Sequence, residues 1–481
     1  MKQIAQRIAP VLAALLLVAC SSTPELKAPA LPMPAAFKEA QQPVRAADGS
    51  LWKLAQPAEA QQRGQWWLAF HDPELTALID QAGAANASLA VAAARVKQAR
   101  ALAGMMDAER SIQVAAGAGV QRARASALSL GLPDGTAVAP GTGYQARLSA
   151  SYEVDLFGRI GAGVSAAQAD AAAQQASYQS VLLALQADVA QTYFRLRATD
   201  AELVTLNQAA DLRAQSVKVN QSRFEHGDIG EFDLVRAKAE LAGARAEAIA
   251  LQRQRVQLEH ALAVLLGQPA ALFSARTKPL LDTAQLPSIP AGLPSKLLER
   301  RPDVSAAQRA MVASNARIGV ARAAMFPVLS LSADGGGASS ALSNVLTWSS
   351  RSWVLGALMS MPIIDGGRNK ANIARSEAVL EESVAQYRQN VLVAFADVED
   401  NLAGLRILAS QSEQVDVGVL LARRSADLAQ KLYQAGRSSY LDLLDAQRNL
   451  AGAERNAAQL RGNQAVTTVA LIRALGGGWD N

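Results

Sequence analysis

Cysteine occurs once in the 481 residues, as Cys20, and histidine three times, as His71, His226 and His260. One thiol excludes an intrachain disulfide, a zinc knuckle or a thiolate cluster, and three scattered imidazoles offer no set of metal ligands. Aromatic residues are only 5% of the chain, and no basic stripe is interleaved with them, so nucleic acid is not an expected partner. No Gly-Lys-Ser or Gly-Lys-Thr phosphate loop is present, and the glycine-rich run Gly158–Gly163 lacks the dinucleotide spacing and opens a helix-forming stretch. With no paired histidines and no catalytic cysteine either, the expectation is a protein that is not an enzyme, with no cofactor and no metal.

Proline is absent from two long windows, 141–268 and 363–481, although 18 prolines occur elsewhere. A proline inside a helix costs about 3 kcal/mol, so these windows are where long helices can run. From about Gly158 to Phe224, Leu182, Leu185, Val189, Thr192, Leu196, Thr199, Leu203 and Leu206 alternate steps of three and four, a heptad seam. A helix of that length reaches on the order of 100 Å. Gly227-Asp228-Ile229-Gly230 interrupts it, and a second helix runs from about Glu231 to Leu266, predicting an antiparallel helical hairpin.

The same text returns 209 residues later without a gap. Ala187-Asp188-Val189 meets Ala396-Asp397-Val398, Gly227 meets Gly436, Asp233-Leu234 meets Asp442-Leu443 and Leu266-Gly267 meets Leu475-Gly476. Ahead of each hairpin, Leu89–Ala108 matches Val304–Ala323 at an offset of 215. The chain is therefore a duplicated unit. Each copy carries two segments of alternating character, predicted as strands over 112–125 and 142–157 and over 327–337 and 353–362. Tyr144, Ala146, Leu148, Ala150, Tyr152 and Val154 form one apolar face, with Gln145, Arg147, Ser149, Ser151 and Glu153 opposite. About ten residues with one polar face is the pattern of a transmembrane strand beside a wet lumen. Four strands cannot close a barrel, so several chains must share one if these strands enter lipid.

The first residues read as an address. Lys2 and Arg7 precede an apolar run ending in Leu17-Val18-Ala19-Cys20, the pattern of a bacterial signal peptide over 1–19 that is cut before a lipid-bearing Cys20. Loss of Lys2 and Arg7 lowers the net charge from +5 to +3, too small an excess to argue for a polyanionic partner.

Helix, two strands, helix, turn, helix, written twice behind a lipobox, resembles the outer-membrane factor family of TolC-like efflux ducts, and within it the NodT-type lipoproteins. The matching motifs are Trp66-Trp67-Leu68-Ala69-Phe70-His71-Asp72-Pro73-Glu74-Leu75, Tyr152-Glu153-Val154-Asp155-Leu156-Phe157-Gly158, Arg301-Pro302-Asp303-Val304 and Tyr440–Arg448. One departure is Ser111-Ile112 where the second copy has Phe326-Pro327.

The resemblance implies a mainly α protein with a membrane β-barrel, a homotrimer whose chains each give four strands to a shared twelve-stranded barrel continued by a periplasmic α-helical coiled-coil barrel. It implies this division: a lipid-anchored segment 20–73, a first repeat 74–266, an equatorial linker 267–299, a second repeat 300–475 and a tail 476–481. It implies residence in the outer membrane, contact with its lipid, and extension into the periplasm. The implied function is the exit duct of a tripartite efflux system for drugs and toxic compounds. Its partners would be a periplasmic adaptor (membrane fusion protein) and an inner-membrane pump of the RND type. It places a periplasmic gate at Asp442 and Asp445, a latch at Asp233 and Tyr433, joined by a hydrogen bond, and adaptor docking at the turns of Gly227 and Gly436. Asp442 and Asp445 are three residues apart, which by itself also suits favourable anions in a helix's first turn. Ser438 stands where the family's enteric prototype has a latch arginine. The competing readings are a coiled-coil lipoprotein that only spaces membranes, a periplasmic adaptor, and the exit duct of a type I protein secretion system.

Overall fold

The structure is a computed structural model that describes residues 22–26, 36–39, 64–280, 286, 287, 289 and 300–477. Cys20 and the expected signal peptide lie outside the described residues, as do most of the expected linker after residue 280 and much of the segment 20–73. In chain order the elements are α1 (Pro73–Ala85), α2 (Ala87–Ala108), β1 (Gln113–Ala123), β2 (Gly141–Val154), α3 (Arg159–Glu225), α4 (Glu231–Leu265), α5 (Pro302–Ala323), β3 (Val328–Ser339), β4 (Arg351–Ser360), α6 (Arg368–Gln434) and α7 (Tyr440–Ala474).

The duplication is visible in these limits. Helices α3 and α6 begin and end 209 residues apart, as do α4 and α7, while α2 and α5 are 215 apart. The described residues form two compact units, one built on 96–174 and 307–387 and the other on 64–95, 175–280 and 388–477.

In the first unit the strands form one antiparallel sheet in the order β1-β2-β3-β4. The register gathers the alternating residues onto two faces. Val120 lies opposite Tyr144, Leu148 opposite Gly335, Ala333 opposite both Ala150 and Leu355, and Leu329 opposite both Val154 and Met359. That face is apolar throughout the central rows. The other face carries Gln145, Arg147, Ser149, Ser151, Ser330, Ser332 and Asp334, with Val328, Val354 and Leu358 as its larger apolar exceptions. Strands β1 and β4 are open edges. At the foot of the sheet Phe157 stacks on Phe326, ring centroids 4.7 Å apart and planes 13° from parallel. Asp155 starts α3 there, its carboxylate accepting from the amides of Ile160 (3.1 Å) and Gly161 (2.7 Å).

The second unit is helical. The seam expected on α3 is interior: Leu185, Val189, Leu196, Leu203 and Leu206 are buried, and Leu182 packs half-buried against the same cluster. Leu185, Val189 and Leu196 meet Leu262 and Leu266 at the end of α4, Val469 and Ile472 of α7, and Trp66, Trp67, Leu75 and Ile79, while Leu203 and Leu206 pack with Ala248 and Leu251 of α4. The Trp66–Leu75 motif thus supplies core. Its Asp72 caps α1, accepting from the amides of Glu74 (3.0 Å) and Leu75 (3.3 Å), and it accepts the Tyr193 hydroxyl proton at 2.6 Å.

Burial pushes the Asp72 carboxyl up, but the bonds from Tyr193 and Leu75 and the nearby Lys278 ammonium outweigh it and hold the carboxyl below its ordinary 3.8. A depressed folded value means stability that is present above 3.8 and lost as pH falls through the folded value. Asp72→Asn keeps a capping oxygen but drops the charge. It is expected to lower the thermal midpoint at pH 7, with the gap to wild type closing below pH 4; a gap unchanged by acid would contradict this account.

The Arg301-Pro302-Asp303-Val304 motif closes the end of the second hairpin. Arg301 donates to Asp303 (2.6 Å), Asp397 (2.8 Å) and the Ala474 carbonyl (3.3 Å). The equivalent of Arg301 in the first repeat is Asn86, whose amide donates to the Leu265 carbonyl at 2.9 Å. Leu265 is the equivalent of Ala474, so the same helix end is tied by two different side chains.

Candidate functional site

The two hairpin turns have one backbone. After α3 the amide of Gly227 donates to Phe224 (3.0 Å) and that of Asp228 to Arg223 (2.8 Å); after α6 Gly436 donates to Tyr433 (3.0 Å) and Arg437 to Leu432 (2.9 Å). These are Schellman ends, which need a left-handed residue after the helix, and Gly227 (φ 80°) and Gly436 (φ 72°) supply it. The chemistry at the apex is reversed, however, since Asp228 and Arg437 occupy equivalent positions.

Behind the turns lies a small core of Ala237, Tyr433, Tyr440, Leu443 and Leu444. Tyr433 is 5% exposed, and its hydroxyl donates to Asn220 Oδ1 at 2.9 Å. The expected bond from Tyr433 to Asp233 is therefore corrected. A phenol has one proton to give, and Asn220, on the same buried seam, takes it. Asp233 lies near enough to add to the upward push that burial gives the Tyr433 phenol, against which the Arg223 guanidinium pulls downward. That guanidinium sits over the Tyr433 ring, 4.6 Å from its centre.

Asn220 and Arg223 were not singled out from the sequence, yet a signal for the first was there. The seam continues from Leu206 through Ala210, Arg213 and Val217 to Asn220 in the same steps of four and three. A polar residue on an apolar seam asks for a partner. Asn220 Nδ2 and Arg213 Nε are buried with no partner among the described residues, as is the Tyr440 hydroxyl, so this core is polar and incompletely satisfied.

Asp442 begins α7 in a capping box: Ser439 Oγ accepts from the Asp442 amide (3.2 Å), and Asp442 accepts from the Ser439 amide (3.0 Å). Its carboxylate also takes the hydroxyls of Ser439 (2.7 Å) and Ser438 (3.1 Å). Bonds from the Ser439 side chain, then its backbone, then Ser438 hold the carboxyl below its ordinary value, so it stays ionised. Asp445, exposed, lies 3.7 Å from Arg448, which also pairs with Glu240 of the first hairpin, its Nε at 3.2 Å from Oε2. The structure thus brings Asp442 and Asp445 to one helix start and Tyr433 to the packed layer behind it.

Just past Cys20, the Ser22 hydroxyl donates to the Phe157 carbonyl (2.9 Å), with the Gly319 carbonyl at 3.0 Å, and Asn315 donates to the Pro24 carbonyl (2.8 Å). The residues two to four positions past Cys20 are therefore docked at the foot of the sheet. Among the described residues no helix is long and apolar enough to cross a membrane and no acidic, histidine or cysteine cluster forms a metal site.

The family model described as "Outer membrane efflux protein" matches residues 78–268 and again 293–477, the two repeats. The chain is 35% identical over 476 residues to the solvent efflux pump outer membrane protein SrpC of Pseudomonas putida, covering 98% of both. It is 31% identical over 472 residues to the cation efflux system protein CusC of Escherichia coli K12, covering 98% of this chain and 99% of that one. The open-state outer membrane channel MtrE of Neisseria gonorrhoeae superimposes with a TM-score of 0.80 at 29% identity, over 95% of this chain and 98% of that one.

Proposed function

The chain belongs to the outer membrane efflux protein family, and from that premise we propose that three copies close one passive duct, each lending its sheet to a twelve-stranded barrel. The protein is an outer-membrane efflux channel. The observation that carries the trimer is the sheet itself. Its register sorts an apolar face from a polar one while leaving β1 and β4 unpaired. Open edges in lipid leave amides unsatisfied at several kcal/mol each, and only closure with further strands removes them. The helical unit supports the same assembly, since α4 exposes Val235, Ile249 and Val256 and α6 exposes Ile407, Leu421 and Leu428 at heptad multiples.

Cys20 would carry the covalent lipid, supported by Ser22 and Pro24 docking beside the strands. No other cofactor and no catalysis is proposed; the duct would be engaged by a periplasmic adaptor, and an inner-membrane pump of the RND type would do the energetic work. Relatives named for solvents and for cations favour small toxic molecules over exported proteins as cargo. In the trimer, Asp442 and Asp445 would bring six carboxylates about one axis, a ring that attracts cations. Tyr433 with Asn220 and Arg223 would latch the second hairpin to the first, Asp233 tuning them. The turns at Gly227 and Gly436 would receive the adaptor, whose binding shifts the duct toward its open population.

The test is single-channel recording of the purified trimer in planar bilayers. Wild type is expected to conduct weakly with cation preference, and Asp442→Ala with Asp445→Ala to conduct with that preference lost. Ser439→Ala breaks the capping box but leaves both charges, so it should keep the preference and separates charge from helix start. Inserted trimers that never conduct, in any of the three forms, would overturn the duct in favour of a membrane-spacing lipoprotein.

A further inference from the structure

The foot of the sheet has two kinds of seam. Inside one chain, β2 leaves the sheet beside the start of β3, and the seam is closed by Phe157 stacked on Phe326. The duplication makes the foot of β4 equivalent to that of β2, and the foot of β1 equivalent to that of β3. Moving 209 residues along from Phe157 gives Gly366, and moving 215 residues back from Phe326 gives Ser111. Both rings of the stack are missing from the second seam.

Something else is present there. Four residues, 155–158, join β2 to α3, whereas seven, 361–367, join β4 to α6. The longer junction holds Ile363 and Ile364, at 86% and 92% the most exposed large apolar side chains among the described residues. Two adjacent isoleucines standing free in water would be unfavourable, so a cover is implied. Asp365 follows at once, its carboxylate held by the amides of Gly367 and Asn369 at 2.9 Å each. A fixed, ionised carboxylate beside the pair argues against lipid as that cover.

Strands β1 and β4 run in opposite directions at the two edges of the meander, so a second copy's β1 can extend the ladder from β4 with both feet side by side. Resting on the shared-barrel reading, we propose that Ile363 and Ile364 seat on the foot of β1 in a second copy, against Ile112 and Val114. They fill between chains the place that the Phe157–Phe326 stack fills within one. Ile112 and Val114 are 63% and 64% exposed in the single chain. The device also accounts for the departure at Ser111-Ile112: a phenylalanine there would occupy the volume the neighbour's isoleucines need.

The experiment is disulfide trapping in the full-length protein, purified in detergent, with Ile112→Cys and Ile364→Cys combined. Copper-phenanthroline oxidation is expected to give covalent dimers and trimers on non-reducing gels, with each single variant remaining monomeric. Light scattering of the wild type comes first, because a monomer there would overturn the shared barrel itself. A trimeric wild type whose double variant forms no covalent oligomer overturns the seam alone. Ile364→Trp in vesicles of dibrominated lipid, read against wild type, whose six tryptophans set the background, identifies the rival cover: quenching beyond that background puts lipid on the residue and also overturns the seam, while added fluorescence without further quenching supports it.

Discussion

Arg197→Met is expected to lower the stability of the helical unit by about 3–5 kcal/mol, the usual loss when one member of a buried charge network is removed. Arg197 is 2% exposed and Asp200 is fully buried. The guanidinium donates to Asp200 (3.2 Å), to Glu74 and to the Arg276 carbonyl, and stands 4.7 Å from the centre of the Tyr193 ring. Asp200 in turn accepts from Arg255 (2.7 Å) and from the Lys278 amide (2.9 Å). The network therefore fastens two covering pieces to α3, the start of α1 through Glu74 and the irregular stretch 275–280 through Arg276 and Lys278. Methionine fills much of the volume but makes none of these bonds, and it leaves Asp200 with less compensation for its buried charge. A thermal melt in detergent followed by circular dichroism reads the loss. Asp200→Leu added to Arg197→Met should recover part of it, since taking both charges out costs less than stranding one. A single variant that melts with wild type would show that the network contributes nothing net.

Why the network escaped a reading of the sequence is instructive. The heptad seam of α3 is legible because its apolar residues recur in steps of three and four, and the turns are legible because glycine marks them. Arg197 and Asp200 lie beside that seam, on a face that would be solvated in a two-helix hairpin. They are buried by a third layer, residues 66–85 and 275–280, which has no periodicity pointing back to α3. The same limit applies to the latch. Tyr433 could be placed against the first hairpin only from the family resemblance, and its choice of Asn220 over Asp233 depends on which side chain the packed helices aim at it. Strand limits were legible to within a few residues where period-two alternation marks them, as in β2 and the first half of β3, and less directly in β1 and β4, whose Ala/Gly-rich and continuously apolar runs alternate poorly. What alternation could not reveal was the register, which puts Leu148 opposite a glycine and Arg147 between Gly117 and Gly336.

Four helix ends share one turn geometry yet should respond differently to the same added methyl group. Gly227 and Gly436 end α3 and α6; Gly267 (φ 69°) and Gly476 (φ 88°) follow α4 and α7 with the same pair of backbone bonds. Around Gly227 and Gly436 a Cβ would meet nothing within 4 Å. Alanine there is expected to cost only the left-handed penalty, about 1–2 kcal/mol. At Gly267 a Cβ would lie far inside contact distance of the Ala85 carbonyl oxygen, and at Gly476 it would lie 2.8 Å from the carbonyl of Arg300. Those are backbone atoms of the chain entering α2 and α5, so they cannot swing aside as a side chain would. Gly267→Ala and Gly476→Ala are expected to cost roughly 2–6 kcal/mol, strain and overpacking together, read as a much larger fall in melting temperature; four equal falls would contradict the argument. The contrast separates folding from docking. Closely packed glycines after α4 and α7 hold each hairpin to its repeat, whereas the open space at the turns leaves them free to be covered by something else. If an adaptor is that cover, Gly436→Ala should leave the trimer folded and conducting in bilayers while weakening efflux in cells.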